Sequence, residues 1–364
     1  MLSYTSAVTI ALDGTPLTVS TGGVGRYTLE LARALASEYP EDQYWLLSDQ
    51  PFPAPDGAPP NLHAGTGPRN PAERKWWLWG LEQEMRRHGV ELFHGTDFSV
   101  PYVALRPGVM TVHDLSPWLD PSWQPAASRV RRRTPRLLRM GLATMVITPT
   151  VAVRRAVIER FELSPDRVAA VPLAAGDLFR PPATPVSVDV PYFLFVGTRE
   201  PRKNIARLLE AWREVRQTMR VDLVLAGRAR ADVPALAEES GLRVLGEVAD
   251  SELPGLYSGA VACVYPSLYE GFGLPVLEAM QCGALVITSR DPAILEVSGE
   301  AAVHVDAEDT AALAEAMRAV AANPDSFAEV REKALARAAQ FSWPRTARLT
   351  REVYDEAGHI FNKA

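Results

Sequence analysis

The amino-acid sequence predicts an α/β protein built from two doubly wound domains that face each other across a cleft. At 364 residues the chain is long for one hydrophobic core, and two domains are expected. Apolar runs rich in β-branched residues alternate with longer amphipathic segments in both halves, which is typical of parallel sheets covered by helices. Between the halves, Arg180–Pro191 carries four prolines and indicates a linker, because proline at that density forbids a helix.

The predicted elements follow the same order in each half. In the first half the strands are Val8–Asp13, Tyr44–Ser48, Leu92–His94, Val109–Asp114, Met145–Thr148 and Val168–Val171, with helices at Val24–Ser37 and Glu73–Arg87. In the second half the strands are Tyr192–Val196, Asp222–Ala226, Val244–Leu245, Val261–Tyr265, Leu285–Thr288 and Ala302–Val305, with helices at Ile205–Gln217 and Thr310–Ala322. A last helix is predicted at Arg345–His359. Because ligands of such sheets bind beyond the carboxyl ends of the strands, we expect the site between the domains.

Composition and charge argue against several classes of function. The formal net charge of -6 and the isoelectric point near 5.7 disfavour a general nucleic-acid-binding protein. Cys263 and Cys282 have neither metal-ligand nor disulfide-framework spacing, which predicts buried thiols in a reducing compartment. The first residues lack a signal-peptide pattern, and no run reaches the roughly 18 apolar residues of a membrane span. We therefore predict a cytoplasmic protein without a nucleic-acid partner.

A glycine-rich turn in the second half is the most informative motif. It lies in YPSLYEGFGLPVLEAMQCG, between the predicted strand Val261–Tyr265 and a helix that begins near Leu274. Gly271 and Gly273 let the backbone approach a ligand closely. The helix start offers free amides and the positive end of the helix dipole. This arrangement suits a diphosphate group.

Two glutamates flank this turn, Glu270 before it and Glu278 on the helix behind it. A hydrolytic pair needs carboxylates about 5–9.5 Å apart, whereas the same spacing in a helix spans about 12 Å. Separate roles are therefore favoured, with Glu270 at a sugar and Glu278 at ribose hydroxyls. The alternative is an ordinary strand, turn and helix with two solvated glutamates.

A second, basic turn occurs in FVGTREPRKN, directly after an apolar strand. Arg199, Arg202 and Lys203 lie where the next helix begins, and cations there oppose the helix dipole unless an anion joins them. Arginine can bind two phosphate oxygens in a fork, while lysine acts as a point charge. The turn is therefore predicted to clamp a phosphate; the alternative is a solvated basic turn.

Taken together, these motifs resemble a known enzyme family. EGFGLPVLEAMQCG and GTREPRKN are similar to motifs of the retaining glycosyltransferases of family 4, which have the GT-B fold of two Rossmann-like domains. TGGVGRYTLELARAL, LFHGTDFSVP, TVHDLSPW and the terminal FSW extend the similarity over nearly the whole chain. The most similar subgroup contains mannosyltransferases of cell-surface polysaccharide synthesis. The resemblance implies an acceptor-side domain over residues 1–180, with a C-terminal helix at about 345–364 packing back on it, and a donor-binding domain over 181–344.

The resemblance also implies roles for residues of the donor domain. Glu278 would bind the donor ribose, Glu270 the hexose hydroxyls, and Lys203 the leaving diphosphate. Further donor contacts are implied at Val248 for the base, and at the backbone of Phe272, Gly273 and Leu274 for the sugar or diphosphate.

One position departs from the pattern of the family. Many members carry an arginine five residues before the lysine, where this chain has Thr198. Arg199 and Arg202 flank that region instead, and we favour Arg202 as the residue that contacts the diphosphate.

The first half contributes glycines and a histidine to the predicted site. In TGGVGRY, Gly22 and Gly23 precede a helix and are expected to face the donor phosphates when the domains close. The motif is not the dinucleotide fingerprint G-x-G-x-x-G, so a nicotinamide enzyme is disfavoured. His113 ends a strand, and by resemblance it contacts the transferred sugar or the transition state. His94 and Asp97 are acceptor-side candidates, with a structural role as the alternative.

The predicted chemistry is metal-independent transfer with retention of anomeric configuration. No D-x-D motif or Cys/His cluster occurs, so arginine, lysine and helix N-termini are expected to stabilise the departing nucleotide. No cofactor is expected beyond the nucleotide-sugar donor; the subgroup suggests GDP-mannose, and UDP-hexoses come next. The acceptor would be a glycan, a lipid-linked sugar or a small molecule. The alternatives are a sugar phosphorylase, a nucleotide-sugar epimerase and a catalytically silent nucleotide-sugar-binding subunit.

A basic segment and a tryptophan-rich segment stand apart from these motifs. Arg129–Arg139 carries arginines at helical spacing, although Pro135 is expected to bend or interrupt the helix. With Trp76–Trp79 it predicts peripheral contact with an anionic membrane or a lipid-diphosphate acceptor. The alternative is interdomain packing and a solvated basic face.

Overall fold

The structure, a computed structural model, describes residues 7–18, 22–183 and 188–363, and these form two compact units. The first unit contains the described residues up to Leu119, the segment Gln124–Leu173 and the residues from Ser342 onward. The second unit contains Asp120–Trp123 and the described residues of Ala174–Phe341. Gly22 and Gly23 are therefore described, whereas Thr21 and part of the predicted linker lie outside the described residues.

The first unit has a sheet of seven described strands, and every neighbouring pair is parallel. The strands are β1 (Thr9–Asp13), β2 (Gln43–Leu47), β3 (Leu62–Ala64), β4 (Leu92–Gly95), β5 (Gly108–Thr111), β6 (Met145–Thr148) and β7 (Val168–Ala170). The helices are α1 (Gly23–Glu38), α2 (Leu81–Arg87), α3 (Ser116–Leu119), α4 (Ser128–Arg139) and α5 (Val151–Phe161). The spatial order β3-β2-β1-β4-β5-β6-β7 is that of a doubly wound sheet, which confirms the predicted fold class for this unit.

The second unit repeats this arrangement with six described strands, again all parallel. The strands are β8 (Tyr192–Val196), β9 (Asp222–Ala226), β10 (Leu242–Gly246), β11 (Ala262–Tyr265), β12 (Val286–Ser289) and β13 (Val303–Val305). The helices are α6 (Ile205–Arg216), α7 (Leu253–Gly259), α8 (Leu274–Gln281), α9 (Pro292–Ser298), α10 (Thr310–Ala322) and α11 (Ala328–Ala338). Every residue of β8 and β11 is buried, as expected of central parallel strands covered on both faces.

The last helix, α12 (Trp343–Lys363), belongs to the first unit and packs against α1. Its inward face carries polar side chains that reach the first sheet. Arg351 Nε lies 3.0 Å from Asp42 Oδ2, and Tyr354 Oη lies 2.7 Å from His94 Nδ1. No helix of the described residues is long and apolar enough to cross a membrane.

The boundary between the units differs from the one expected after Arg180. The segment that follows Leu173 already belongs to the second unit, because its groups bind there. Gln281 Nε2 donates to the carbonyl oxygen of Gly176, and the ring of Phe179 packs edge-on against Tyr257 at 6.1 Å. Contacts rather than prolines decide where this unit begins.

The helix predicted at Glu73–Arg87 is wrong over its first half. The α-helical part begins only at Leu81, and Trp76–Gly80 forms one π-helical turn before it. The turn requires glycine at its end, because a Cβ on Gly80 would lie 1.9 Å from the carbonyl oxygen of Glu73. Trp76 is consequently buried in the core of the first unit and cannot serve as an interfacial anchor.

Helix α4 is continuous through Pro135, contrary to the predicted interruption. Proline has no N–H for the carbonyl oxygen of Arg131, four residues earlier. The indole of Trp118 replaces that donor, with Nε1 lying 3.2 Å from the carbonyl oxygen of Arg131. The Trp118 ring is held edge-on against Phe98 and Phe161, at 5.8 and 5.2 Å. A tertiary hydrogen bond thus compensates for the proline.

We expect Trp118→Phe to lower the free energy of unfolding by about 1 kcal/mol beyond its packing cost, because the Arg131 carbonyl loses its donor. In a Pro135→Ala background the same substitution should cost less, since the alanine amide supplies the missing helical donor. Urea denaturation of the wild type, both single variants and the double variant measures this coupling. Additive effects of the two substitutions would contradict the compensation.

Candidate functional site

The basic turn after β8 has a tightly constrained backbone. Gly197 has φ 143°, and a Cβ on Gly227 would lie 2.2 Å from the carbonyl oxygen of Gly197, so the ends of β8 and β9 need glycine to approach this closely. Asn204, with φ 59°, closes the turn. Its Nδ2 donates to the carbonyl oxygens of Pro266 at 3.1 Å and Ala307 at 2.7 Å. The backbone that carries the cations of this turn is therefore held in one conformation.

These cations meet a carboxylate from the glycine-rich turn. Lys203 Nζ lies 2.6 Å from Glu270 Oε1 and donates to Tyr265 Oη at 2.8 Å. Arg202 Nη1 lies 2.9 Å from Glu270 Oε2 and 3.1 Å from the carbonyl oxygen of Tyr269. Lys203 and Glu270 are only 6% and 4% exposed. The two predicted motifs, far apart in sequence, thus form one buried ion cluster.

Burial and pairing act in opposite directions on the charges of this cluster. Burial alone would raise the pKa of Glu270, but the charges of Lys203 and Arg202 leave that pKa below its ordinary value. Burial, with the nearby Arg202 charge, lowers the pKa of Lys203. Burial also raises the pKa of Tyr265 well above its ordinary value, so its phenol stays protonated. Glu270 is consequently an ionised acceptor held in one orientation.

A further layer of contacts surrounds Arg202. Glu200 Oε1 lies 2.8 Å from Arg202 Nε, and Glu200 Oε2 lies 4.0 Å from Arg230 Nη1. Arg230 also donates to the carbonyl oxygen of Trp123, whose ring stacks on Tyr269 at 5.8 Å. The sequence does not predict this layer, because neither Arg230 nor Trp123 lies in a recognisable motif. Their contacts explain why Asp120–Trp123 belongs to the second unit.

The glycine-rich turn has the geometry expected of an anion site. Gly273 has φ 90°, a left-handed conformation that favours glycine, and it precedes the first residue of α8. Among the described residues, the amides of Phe272, Gly273 and Leu274 have no hydrogen-bond acceptor. Phe272 itself is buried edge-on against Phe341 at 5.9 Å. The turn therefore combines a fixed backbone with free donors at the positive end of a helix.

Glu278 lies farther along α8 and has a different environment from Glu270. Its Oε2 accepts a hydrogen bond from Tyr257 Oη at 2.9 Å, and the residue is 3% exposed. Burial, together with the Glu278 charge, raises the pKa of Tyr257 well above its ordinary value, so the phenol remains a donor. In this structure the carboxylate of Glu278 is thus turned towards a protein hydroxyl.

Arg199 and Thr198 lie between the glycine at the end of β8 and the basic turn, and both are half-buried. The backbone of Arg199 is paired, with its amide donating to the carbonyl oxygen of Arg228 at 2.9 Å. Its side chain is not: Nε and Nη1 are buried and have no hydrogen-bond partner among the described residues. Buried guanidinium nitrogens without acceptors are costly, which marks Arg199 as an anion-binding candidate.

Val248 borders an open cavity of about 530 Å³ beside β10 and α7. The cavity is also lined by Tyr192, Arg243, Leu245, Glu252 and Leu256. The residue predicted to contact the base thus lies at a cavity large enough for a planar ring, with apolar and polar groups on its walls.

The glycines of the first unit form the start of α1. Gly22 precedes the first helical residue, Gly23, and both are exposed. Among the residues that the structure describes, none would lie within 4 Å of a Cβ on either glycine. Packing within the protein therefore does not require glycine at these positions, whereas close approach of a ligand to the backbone would.

The two histidines predicted at the site differ in accessibility. His113 is half-buried, and its Nε2 donates to the carbonyl oxygen of Thr96 at 2.7 Å, so Nδ1 is the ring nitrogen that this bond leaves unused. His94 is fully buried, with Tyr354 Oη and Thr111 Oγ1 each 2.7 Å from its ring nitrogens. Burial lowers the pKa of His94 to about 3. His94 is therefore a neutral structural residue, in line with the alternative considered above.

No group of three or more histidine, cysteine, aspartate or glutamate side chains in the described ranges is arranged to hold a metal ion. Both cysteines are buried and reduced.

Comparison with known proteins places both units in the same group of enzymes. A family model described as "Glycosyltransferase Family 4" matches residues 21–175, and one described as "Glycosyl transferases group 1" matches residues 190–323. The chain is 30% identical to the O-antigen chain mannosyltransferase B of Escherichia coli over 380 aligned positions, which cover 93% of this chain and 97% of that protein.

Two further similarities are more limited. The serotype-specific mannosyltransferase WbdA of Escherichia coli is 32% identical over 219 positions, covering 54% of this chain and 27% of that longer protein. The solved structure of a sucrose-phosphate synthase from Thermosynechococcus elongatus superposes with a TM-score of 0.75 at 22% identity, over 98% of this chain and 100% of that one. At that identity the likeness concerns the fold.

We expect Glu270→Gln to lower the free energy of unfolding by about 3 kcal/mol, because it leaves Lys203 buried without a carboxylate. Combining it with Lys203→Met should cost clearly less than the two single substitutions added together. Guanidinium denaturation at pH 7 measures the coupling. The exposed pair Lys333 and Glu329, treated in the same way, is the control and should show no measurable coupling. Equal coupling in both pairs would contradict a special role for burial.

Asp291 supplies a pH-dependent test of the same region. Burial raises its pKa to about 6, while its Oδ1 caps α9 through the amides of Ala293 and Ile294. A raised carboxyl pKa favours folding below the unfolded-state value of 3.8, and this stability is lost as the pH rises through 6. Asp291→Asn keeps the cap and should be more stable than the wild type by about 2 kcal/mol at pH 7.5, but not at pH 4. A stability difference independent of pH, in urea titrations, would refute this.

Proposed function

Because the chain belongs to glycosyltransferase family 4 and has the GT-B fold, we propose that it transfers mannose from GDP-mannose to a glycan or lipid-linked acceptor in cell-surface polysaccharide synthesis. The choice of sugar rests on the named activity of its Escherichia coli relatives. The site observation that carries the proposal is the buried cluster of Lys203, Arg202 and Glu270 beside the free amides of the glycine-rich turn. Cations and free amides beside an ionised carboxylate suit a ligand in which a sugar is attached to a diphosphate.

The diphosphate would bind between the glycine-rich turn and the basic turn. The amides of Phe272, Gly273 and Leu274 have no acceptor in the part of the chain that the structure describes, and they lie at the positive end of α8. Lys203 adds a cation, and its attraction would stabilise the negative charge that develops on the diphosphate as the nucleotide departs. This assignment makes the enzyme independent of a metal ion, which is part of the proposal.

The two arginines of the basic turn would then divide the work. Arg202 is engaged by Glu200 and Glu270, so its first role is to hold the Glu270 carboxylate. Arg199 has two buried nitrogens without partners and is free to bind the diphosphate, in the region where the family pattern has its arginine at Thr198. We therefore assign the direct phosphate contact to Arg199, in place of the Arg202 favoured by the sequence.

Glu270 would accept hydrogen bonds from hexose hydroxyls, because it is ionised and its orientation is held by two cations. Glu278 would bind the donor ribose by exchanging its bond to Tyr257 for bonds to sugar hydroxyls. The base would enter the cavity beside Val248. These roles follow the family resemblance, and the burial of both glutamates makes them rigid acceptors.

The first unit would contribute at the transferred sugar. His113 Nε2 is bonded to the carbonyl oxygen of Thr96, so a sugar hydroxyl would bond to Nδ1. Gly22 and Gly23 leave the start of α1 open for the approach of phosphate oxygens. Transfer with retention is proposed from the family, with the donor phosphate assisting removal of the acceptor proton.

Donor binding and transfer test this proposal directly. GDP-mannose should raise the melting temperature more than other nucleotide sugars, because the ligand stabilises only the folded chain. With a mannose-terminated oligosaccharide as acceptor, NMR should show a product with the donor's anomeric configuration. Reactions with inorganic phosphate, or with no acceptor, separate transfer from phosphorolysis and epimerisation. No thermal shift with any nucleotide sugar would refute the donor assignment.

Arg199→Ala should lower kcat/KM by about 100- to 1,000-fold, because a donor to the developing phosphate charge is lost. Its melting temperature without ligand should stay close to that of the wild type, since the Arg199 side-chain nitrogens have no partner to lose. Arg220→Ala, at an exposed position of the same unit, is the matched control and should remain fully active. Unchanged kcat/KM in Arg199→Ala would remove Arg199 from the phosphate site.

A further inference from the structure

Helix α4 of the first unit borders a cavity of about 340 Å³ that the proposed transfer reaction does not use. One wall carries four guanidinium groups, and the rest is largely apolar. The lining residues are Tyr102, Arg129, Arg132, Arg133, Arg136, Leu137, Met140 and Leu142. The arginines recur at intervals of three and four residues, so they lie on one face of the helix.

Among the described residues, three of these four guanidinium groups have no carboxylate partner, whereas Arg133 is within electrostatic reach of Asp13 and Asp97. Arg129, Arg132 and Arg136 are exposed, and no carboxylate of the described residues lies within ion-pair distance of them. Helix α4 itself, SRVRRRTPRLLR, contains no acidic residue. Like charges three and four residues apart destabilise a helix, so the arrangement is unfavourable until an anion binds.

Two residues fix the shape of the arginine wall. Arg133 lies with its guanidinium 5.2 Å above the Trp77 ring and donates to Ser99 Oγ. The guanidinium groups of Arg133 and Arg129 beside Tyr102 leave the pKa of its phenol below the ordinary value, although burial by itself would raise that pKa. The amide of Tyr102 also donates to the carbonyl oxygen of Trp77 at 3.1 Å. These contacts hold Arg133 and Tyr102 in place, while the side chains of Arg132 and Arg136 remain available to a ligand in the cavity.

Exposed apolar side chains follow these contacts along the chain. Met140, which lines the cavity at the end of α4, is 70% exposed, and Val103 and Leu105 beyond Tyr102 are 46% and 51% exposed. Trp79, two residues beyond Trp77, is 51% exposed. Apolar side chains beside a cationic site can insert into a lipid interface. They would contribute nothing to the binding of a dissolved anion.

We propose that this cavity binds the phosphate group of an anionic lipid headgroup at a membrane surface. Arg132 and Arg136, one helical turn apart, donate to the phosphate oxygens, with Arg129 adding a third cation. Met140 enters the interfacial region beside the headgroup. The site is distinct from the donor site of the second unit, and the proposal stands whether or not mannose is the transferred sugar.

Vesicle co-sedimentation of the full chain tests the site. Vesicles of phosphatidylcholine with phosphatidylglycerol should bind the protein, and vesicles of phosphatidylcholine alone should not. Arg132→Ala/Arg136→Ala should weaken binding about 25-fold, because each arginine near an anionic bilayer contributes a factor of about five. Arg155→Ala/Arg160→Ala removes the same charge from exposed positions of α5 and should weaken binding less than twofold.

A second variant distinguishes apolar contact with the lipid from binding of its phosphate group. Met140→Glu keeps all arginines but places a carboxylate at the rim, and it should weaken vesicle binding without changing the melting temperature. Calorimetric titration of the wild type and of Arg132→Ala/Arg136→Ala with inorganic pyrophosphate measures recognition of phosphate alone at this cavity, because the donor site is the same in both proteins. Equal losses in the two arginine pairs, or pyrophosphate binding that depends on Arg132 and Arg136 without binding to anionic vesicles, would overturn the proposal.

Discussion

The carboxylate of Glu270 is the point at which the functional turns of the second unit are joined. Its two oxygens accept from Lys203 and Arg202, which belong to the turn after β8, while Glu270 itself belongs to the connection between β11 and α8. Burying these charges is tolerable only when they are paired and hydrogen-bonded. The pairing therefore fixes the distance between the basic turn and the free amides near Gly273, and with it the space available to a ligand.

The same logic holds in the first unit with neutral groups. Tyr354 of α12 bonds His94, which bonds Thr111, which in turn bonds Tyr27. The ring of Tyr27 packs edge-on against His113 at 4.9 Å. Because burial keeps His94 neutral, hydroxyl groups alone can pair with its two ring nitrogens, and this series of hydrogen bonds contains no charge. The last helix is thereby tied to the histidine that the proposed mechanism places at the sugar.

Much of the fold and part of the site could be predicted because their causes are local. Near-continuous apolar strands identify covered parallel sheets, and the glycines before a helix predict the left-handed turn found at Gly273. Strand β3 was missed because three residues are too few to show a period. The helix start at Leu81 was misplaced because Gly80 is required by a contact with the carbonyl of Glu73, which no periodicity reveals.

By itself the sequence determined the fold class, the family and the residue types of the glycine-rich and basic turns, since period, glycine spacing and side-chain charge are properties of short segments. Only the tertiary structure decided which charged side chains have a protein partner and which remain available to a ligand. The sequence favoured Arg202 for the phosphate contact, yet Arg202 binds Glu270, whereas Arg199 has two buried nitrogens without partners among the described residues. Partnership and burial depend on residues distant along the chain, and these are brought together only when the sheets form.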